Sequence, residues 1–237
     1  MDTVTPKIND GKSNTYDLQV GLTIAIPFVG RPVSAEWAIA LASQNYPLNL
    51  SHSLCVIGGE STDIARNKAV EYALQKKSNY IWFLDDDVQT PFFAVRQLIY
   101  TLEQSDAMIV GGIYCRKGDP TEPVVYRGKG QGAFWKWKVN TVFEVDGIGA
   151  GCMMVKTELF KHLSPPYFKT VDDFITEGTS VGNAATEDLY FCNKVRDAGF
   201  KILADAHVLC NHWDIKTMTA YMLPKDSYPL QDELKVA

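Results

Sequence analysis

No Cys-x-x-Cys pair, no basic excess and no long apolar run occur in this sequence, and each absence closes off a class of function. The five cysteines, Cys55, Cys115, Cys152, Cys192 and Cys210, are scattered and odd in number. They read as reduced core thiols of a cytoplasmic protein, not as a disulfide framework or a zinc site. Lysine and arginine total 23 against 28 acidic residues, for a net charge of −5. No basic field therefore draws nucleic acid or an anionic membrane, and an anionic substrate needs a metal or a few local arginines to neutralise it. No stretch approaches the roughly 18 apolar residues of a membrane-spanning helix. The opening MDTVTPKINDGKSNTYD lacks the basic start and apolar run of a signal peptide. Residues 1–17 read as a flexible leader.

What is present is an ordinary globular composition, 46% hydrophobic and 22% charged over 237 residues, long enough to bury a real core. The first half alternates. Apolar runs at 22–28, 53–59, 80–84 and 107–114 read as strands. Segments 34–45, 61–77 and 91–104 read as helices, with Ser34 a candidate N-cap, Ser61, Thr62 or Asp63 candidate caps of the second, and Pro91 at the first turn of the third. Strand–helix alternation with apolar strands predicts a parallel sheet with helices on both faces over residues 18–115. The second half differs. Residues 118–151 carry turn residues between short strands, as in an antiparallel ribbon. Residues 152–163 read as a strand leading into a helix, 172–186 as a mobile loop, 187–199 as a helix ending at Gly199, and 201–206 as a strand. With no linker in sight, the expectation is one α/β domain over 18–237. Its lobes are a mainly parallel half (18–115) and a smaller mixed or antiparallel half (116–213), followed by a tail (214–237).

The stretch NYIWFLDDDVQTP, residues 79–91, raises the central question. An apolar strand runs straight into Asp85, Asp86 and Asp87. Two carboxylates about 4 Å apart repel by roughly 1 kcal/mol in water and about 4 kcal/mol near a protein surface. In an extended segment Asp85 and Asp87 share one side and Asp86 takes the other. Two carboxylates on one side make a hard-oxygen site for Mg²⁺ or Mn²⁺. The competing reading is an acidic turn capping the next helix, worth about 0.3–1 kcal/mol, which accounts for one aspartate better than three.

Several pieces in order resemble the GT-A glycosyltransferases, especially family-2-like enzymes: IAIPFVGRP, STDIARNKAVEYAL, FLDDDV, IVGGIYCRKGDPTEPVVY, DGIGAGCMMVKTELF, TEDLYFCNKVRDAGFKI and CNHW, together spanning residues 22–213. The resemblance implies a GT-A-like fold and a metal-dependent transferase. Such an enzyme moves a sugar from a UDP- or GDP-sugar to a hydroxyl of a saccharide or small molecule. It implies that Asp87 binds Mn²⁺ or Mg²⁺, that Asp85 assists through metal or ribose, that Asp86 faces sugar or ribose, and that His212 is a further ligand. A lone histidine near a strand end is otherwise a hydrogen-bonded core residue.

Glu187 and Asp188 follow Thr186 at a helix start, where acidic residues are favoured anyway. The resemblance makes Asp188, beside Glu187, the general base of inverting members or a positioning group in retaining ones. Asp63 and Arg66 are either a surface ion pair or contacts to base, ribose or diphosphate. Arg31, with Pro27 and Phe28, belongs to the expected nucleotide-sugar loop. Phe28 stands where many family-2 enzymes carry a small polar residue, which leaves the base open. Gly147, Gly149 and Gly151 permit close backbone approach to a ligand or fit a bulged strand. Trp135 and Trp137, read as alternating in a strand and facing one side, suit an acceptor sugar or simple packing. Segment 172–186 is long enough for a lid. The chain ends soon after His212, so no further module is expected, and the acceptor is small and soluble or brought by another protein. The rival readings are a nucleotidyltransferase, a non-catalytic nucleotide-sugar-binding protein and an interaction module without a ligand.

Overall fold

A computed structural model describes residues 21–128, 130–171 and 186–223. The expected leader, the loop expected over 172–186 apart from Thr186, and the tail beyond 223 lie outside the described residues. In chain order the elements are β1 (Leu22–Phe28), α1 (Ala35–Ala42), β2 (His52–Gly58), α2 (Thr62–Gln75), β3 (Tyr80–Leu84), β4 (Val88–Gln89) and α3 (Ala94–Glu103). They continue with β5 (Ile109–Ile113), β6 (Val125–Tyr126), β7 (Val142–Val145), β8 (Gly147–Ile148), β9 (Cys152–Lys156) and a 3-10 turn (Thr157–Lys161). α4 (Glu187–Asp197), β10 (Ile202–Leu209), β11 (Asn211–Asp214) and β12 (Thr219–Tyr221) complete them.

The main sheet has seven strands in the order β2-β1-β3-β9-β5-β10-β7. β1 pairs in parallel with β2 and β3, and β5 with β10. β9 runs antiparallel between β3 and β5, and β7 runs antiparallel on β10. The sheet is thus mainly parallel by strand direction, but β9 from the second half divides the first-half strands. Two small antiparallel sheets, β12-β11-β4 and β6-β8, stand beside it.

Period-two alternation sorts each central strand between two cores. Ala25, Ile81, Phe83, Met153 and Val155 pack on one face with Phe168 and Phe191. Ile24, Ile26, Trp82, Leu84, Cys152 and Met154 pack on the other with Trp37, Leu98 and Leu102. Ser34 caps α1 by accepting from Trp37 N–H at 3.0 Å. α3 starts at Ala94, three residues after Pro91, because Phe92 and Phe93 form a turn and Ala94 N–H donates to the Pro91 carbonyl. The amide of Gln44 donates to that same carbonyl at 2.9 Å and accepts from Val95 N–H at 3.3 Å. This capping from the end of α1 has no local sequence signal.

Candidate active site

The site forms where β1, β3 and the start of α2 open toward the small sheet. β3 ends in a tight turn, with Val88 N–H donating to the Asp85 carbonyl at 3.2 Å. The extended geometry expected for the aspartates is therefore replaced by a turn, and their grouping changes. Asp86 and Asp87 share Arg31, while Asp85 turns to Arg66. Trp37 Nε1 donates to the Asp85 carbonyl at 2.8 Å and pins the turn to α1.

Asp86 is buried and both its oxygens are used. Oδ1 accepts from Arg31 Nη2 at 2.8 Å, and Oδ2 accepts from Val29 N–H at 3.3 Å. It anchors the turn after β1, whose last residues Pro27 and Phe28 are buried and half-buried and beyond which Val29 is exposed. Pro27 lies past the β1–β3 pairing, which ends at Ala25, so no ladder bond to β3 is lost there.

Asp87 collects the most partners. Its Oδ2 accepts from Arg31 and, at 2.6 Å, from Lys117 Nζ. Its Oδ1 lies 3.3 Å from His212 Nε2. The β4–β11 pairing sets His212 opposite Val88, and Trp213 N–H donates to the Asp87 carbonyl at 2.8 Å. His212 Nδ1 is 2.8 Å from the Cys115 carbonyl. A carbonyl only accepts, so Nδ1 carries a proton. In the neutral ring the Nε2 lone pair then points at a carboxylate oxygen. Burial alone would raise the Asp87 carboxyl, but hydrogen bonds and charge from a protonated His212 ring and from Lys117 hold it well below the ordinary range.

Arg66 is 2% exposed, so the surface ion pair is not what forms. Its Nη2 donates to Asp85 Oδ1 at 2.7 Å, its Nη1 donates to Glu187, and its guanidinium lies over the Phe168 ring. Burial opposes its charge, yet Asp85 and Glu187 raise its pKa further. Burial also raises Asp85 and Glu187 above the usual carboxylate range against the pull of Arg66. Asp85 keeps 27% of its side chain open to the cleft. Asp188 is buried, and its Oδ1 accepts from Thr186 Oγ1 and from Leu189 N–H at 2.8 Å.

The other residues of α2 hold the chain instead. Asp63 Oδ2 accepts from Thr170 N–H at 3.3 Å. Asn67 Nδ2 donates to the Phe168 carbonyl at 2.7 Å, while its Oδ1 accepts from Tyr167 N–H at 2.8 Å and Phe168 N–H at 3.2 Å. Thus Arg66 faces the acidic turn, while Asp63 and Asn67 clamp 167–170.

The glycines after β7 are filled by protein. A Cβ on Gly149 would meet Tyr114 Cζ and Val124 Cγ1 at 2.7 Å, and one on Gly151 would meet Tyr114 and Val88 at 2.9 Å. Tyr114 Oη accepts from Gly151 N–H at 3.1 Å. The strand expected around Trp135 and Trp137 does not form. Trp137 N–H turns back to the Trp135 carbonyl, Trp137 stacks on Phe143, and Trp135 stays exposed, so the two do not share a face.

Lys117 was missed by sequence reasoning. Its neighbours Gly118, Asp119 and Pro120 mark only a turn. Among the described residues no group of three or more His, Cys, Asp and Glu side chains is arranged to hold a metal ion. Asp87 and His212 are the two ligand types that converge.

The family model for glycosyl transferase family 2 matches residues 58–163, from the end of β2 through the acidic turn to the 3-10 turn after β9. No curated protein matches the chain. Among solved structures, A197 from STIV is similar with a TM-score of 0.58 at 18% identity, over 86% of this chain and 94% of that one. GalNAc-T7, solved with UDP, GalNAc and Mn²⁺, is similar with a TM-score of 0.54 at 11% identity, over 82% of this chain and 44% of that one. The fold is GT-A-like, and the glycosyl transferase family 2 match lies within it over residues 58–163. In this GT-A-like fold the acidic turn lies inside the matched segment, whereas Glu187, Asp188 and His212 lie beyond it. The match and the fold together support glycosyl transfer as the class of activity. No helix among the described residues is long and apolar enough to cross a membrane.

Proposed function

We propose that this protein is a divalent-metal-dependent glycosyltransferase that moves a sugar from a UDP- or GDP-sugar to an acceptor hydroxyl. One observation carries the reading: the convergence of Asp87 Oδ1 and His212 Nε2 at 3.3 Å, with the far side of the ring committed to the Cys115 carbonyl. A carboxylate oxygen and an imidazole lone pair that face each other are joined by a cation between them, a proton on Nε2 or a metal ion in its place. Mg²⁺ or Mn²⁺ suits such a pair, because each keeps positions for water and substrate phosphates. Charge supports the same reading. Asp85, Asp86, Asp87, Glu187 and Asp188 face Arg31, Arg66 and Lys117, an acidic excess that matches one divalent ion. GalNAc-T7, similar in fold, holds UDP and Mn²⁺.

The bound cation supplies Lewis-acid stabilisation of the departing nucleoside diphosphate. Asp87 and His212 would hold it, with Asp85 as a further candidate ligand. Arg31 ties the turn that follows Pro27 and Phe28 at the end of β1 to Asp86, which shapes the nucleotide side. Asp188, oriented by Thr186 and Leu189, takes the acceptor hydroxyl proton. Glu187 keeps Arg66 in place. Asp63 serves through its hold on the chain at Thr170, exposed Trp135 is offered to the acceptor, and Gly149 and Gly151 support the acceptor side by letting Tyr114 pack close. Five buried free thiols fit a reducing cytoplasm.

Calorimetric titration of UDP and GDP, each with Mn²⁺ and with EDTA, on wild type and Asp87→Ala tests this. One nucleotide should bind tightly, only with Mn²⁺ and only with Asp87 present. Absence of binding under every condition overturns the reading and leaves the aspartates as a structural turn.

A further inference from the structure

Lys117 stands over the acidic turn at the tip of a braced hairpin. Arg116 N–H donates to the Glu122 carbonyl at 2.9 Å, Arg116 Nε pairs with Glu122 at 2.8 Å, and Cys115 bridges Pro123. Two residues before Lys117, the Cys115 carbonyl sets the His212 ring. One short segment carries both the carbonyl that meets His212 and the ammonium that meets Asp87. Lys117 Nζ meets Asp87 Oδ2 at 2.6 Å with 24% of its side chain exposed, and its charge also reaches solvent-facing Asp214. Arg31 differs: its Nη2 is shared between Asp87 and the buried Asp86, so it is held by two carboxylates at once. Lys117 hangs from one oxygen on a flexible four-carbon stem.

Resting on the proposed metal-dependent reading, we infer that Lys117 is a donor-diphosphate-binding residue stored on Asp87. A divalent cation on Asp87 Oδ1 and His212 puts a second positive charge beside the Lys117 ammonium on the same carboxylate. The two cations compete for Asp87. The nearest anions that the cation brings are the diphosphate oxygens, and Lys117 transfers to them. Lys117 thus opposes the metal alone and favours the metal–nucleotide pair. The role is specific to a diphosphate, since a monophosphate offers fewer oxygens beyond those on the metal.

The test is Mn²⁺ binding without nucleotide, read by electron paramagnetic resonance, and binding of UDP and GDP at saturating Mn²⁺, read by calorimetry, in wild type, Lys117→Met and Lys117→Arg. Lys117→Met should tighten Mn²⁺ alone by about 3-fold or more and weaken the nucleoside diphosphate by about 5-fold or more. UMP or GMP binding should change less, and Lys117→Arg should recover part of the diphosphate loss. Weaker Mn²⁺ binding in Lys117→Met, or unchanged diphosphate binding, overturns this inference and leaves the proposed function standing. If wild type binds neither Mn²⁺ nor a nucleoside diphosphate, both fall.

Discussion

Arg66, 2% exposed, holds Asp85 at 2.7 Å with one guanidinium nitrogen and reaches Glu187, 121 residues further along the chain, with another. It joins α2, the end of β3 and the start of α4 at one buried point. Part of the repulsion among the aspartates is offset here by protein and does not wait for a ligand.

Removing Arg66 should therefore destabilise the whole fold. Breaking a buried pair by deleting one partner costs about 3–5 kcal/mol. Asp85 and Glu187 are 27% and 15% exposed, which places Arg66→Ala near the lower end, at about 3 kcal/mol. Urea unfolding measures it. Adding Glu187→Gln should recover part of the loss, because a neutral side chain replaces an unpaired buried charge. A loss under about 1 kcal/mol would mean that water screens the triad as it does a surface pair.

His212 gives the converse case, a residue whose loss should spare the fold. It sits on the β4–β11 ribbon outside the main sheet. His212→Ala should weaken Mn²⁺ binding by at least the roughly 10-fold that loss of an outer-sphere partner costs. The melting temperature without Mn²⁺ should stay within a few degrees. Manganese titration beside thermal melts reads both. Unchanged Mn²⁺ affinity would return His212 to the status of a hydrogen-bonded residue on Cys115 and Asp87.

Much of this was legible in the sequence, and the misses share a cause. β1, β3 and β5 were visible as apolar runs, and the aspartates stood out because like charges at a strand end need an explanation. The insertion of β9 between β3 and β5 was not legible. Cys152–Lys156 is as apolar as its neighbours, and periodicity reports which face is buried but not which strand lies alongside. The grouping of Asp86 with Asp87 was missed because a turn replaced the assumed extended run. Lys117 was invisible because its meaning lies in Asp87, 30 residues away. Asp205 was passed over inside an apparently apolar strand. It is fully buried and accepts from Thr101 Oγ1 at 2.6 Å and Gln97 Nε2 at 3.0 Å. Those partners are spaced four apart on α3, a pattern that could have signalled a polar group on the facing strand.

Gly149 separates packing from ligand approach. An added Cβ collides with the Tyr114 ring and Val124, and overpacking of this kind costs about 1–3 kcal/mol. Gly149→Ala should lose that much stability in wild type and clearly less in a Tyr114→Leu background. A double-mutant cycle by urea unfolding gives the coupling. No coupling, together with a specific loss of acceptor binding, would assign the glycine to the ligand.

The five thiols yield a prediction about alkaline pH. All are free and buried. Burial pushes Cys115 and Cys192 up to about 12. The attacking species in thiol labelling is the thiolate, so the native protein should expose almost no reactive thiol at pH 7.5 or 9, and all five after denaturation. The same shift sets a stability slope. For Cys115 and Cys192 the folded-state pKa values lie above the unfolded ones, so their stabilisation is fully present below pH 9 and is lost as pH rises from there toward 12. The unfolded chain then releases protons that the folded chain retains, at up to about 1.4 kcal/mol per pH unit for each of these two thiols. Ellman titration of native and denatured protein, with urea midpoints at pH 8, 9 and 10, checks both. Rapid labelling of two or more thiols in the native protein would show that the strands carrying them open far more readily than their packing implies.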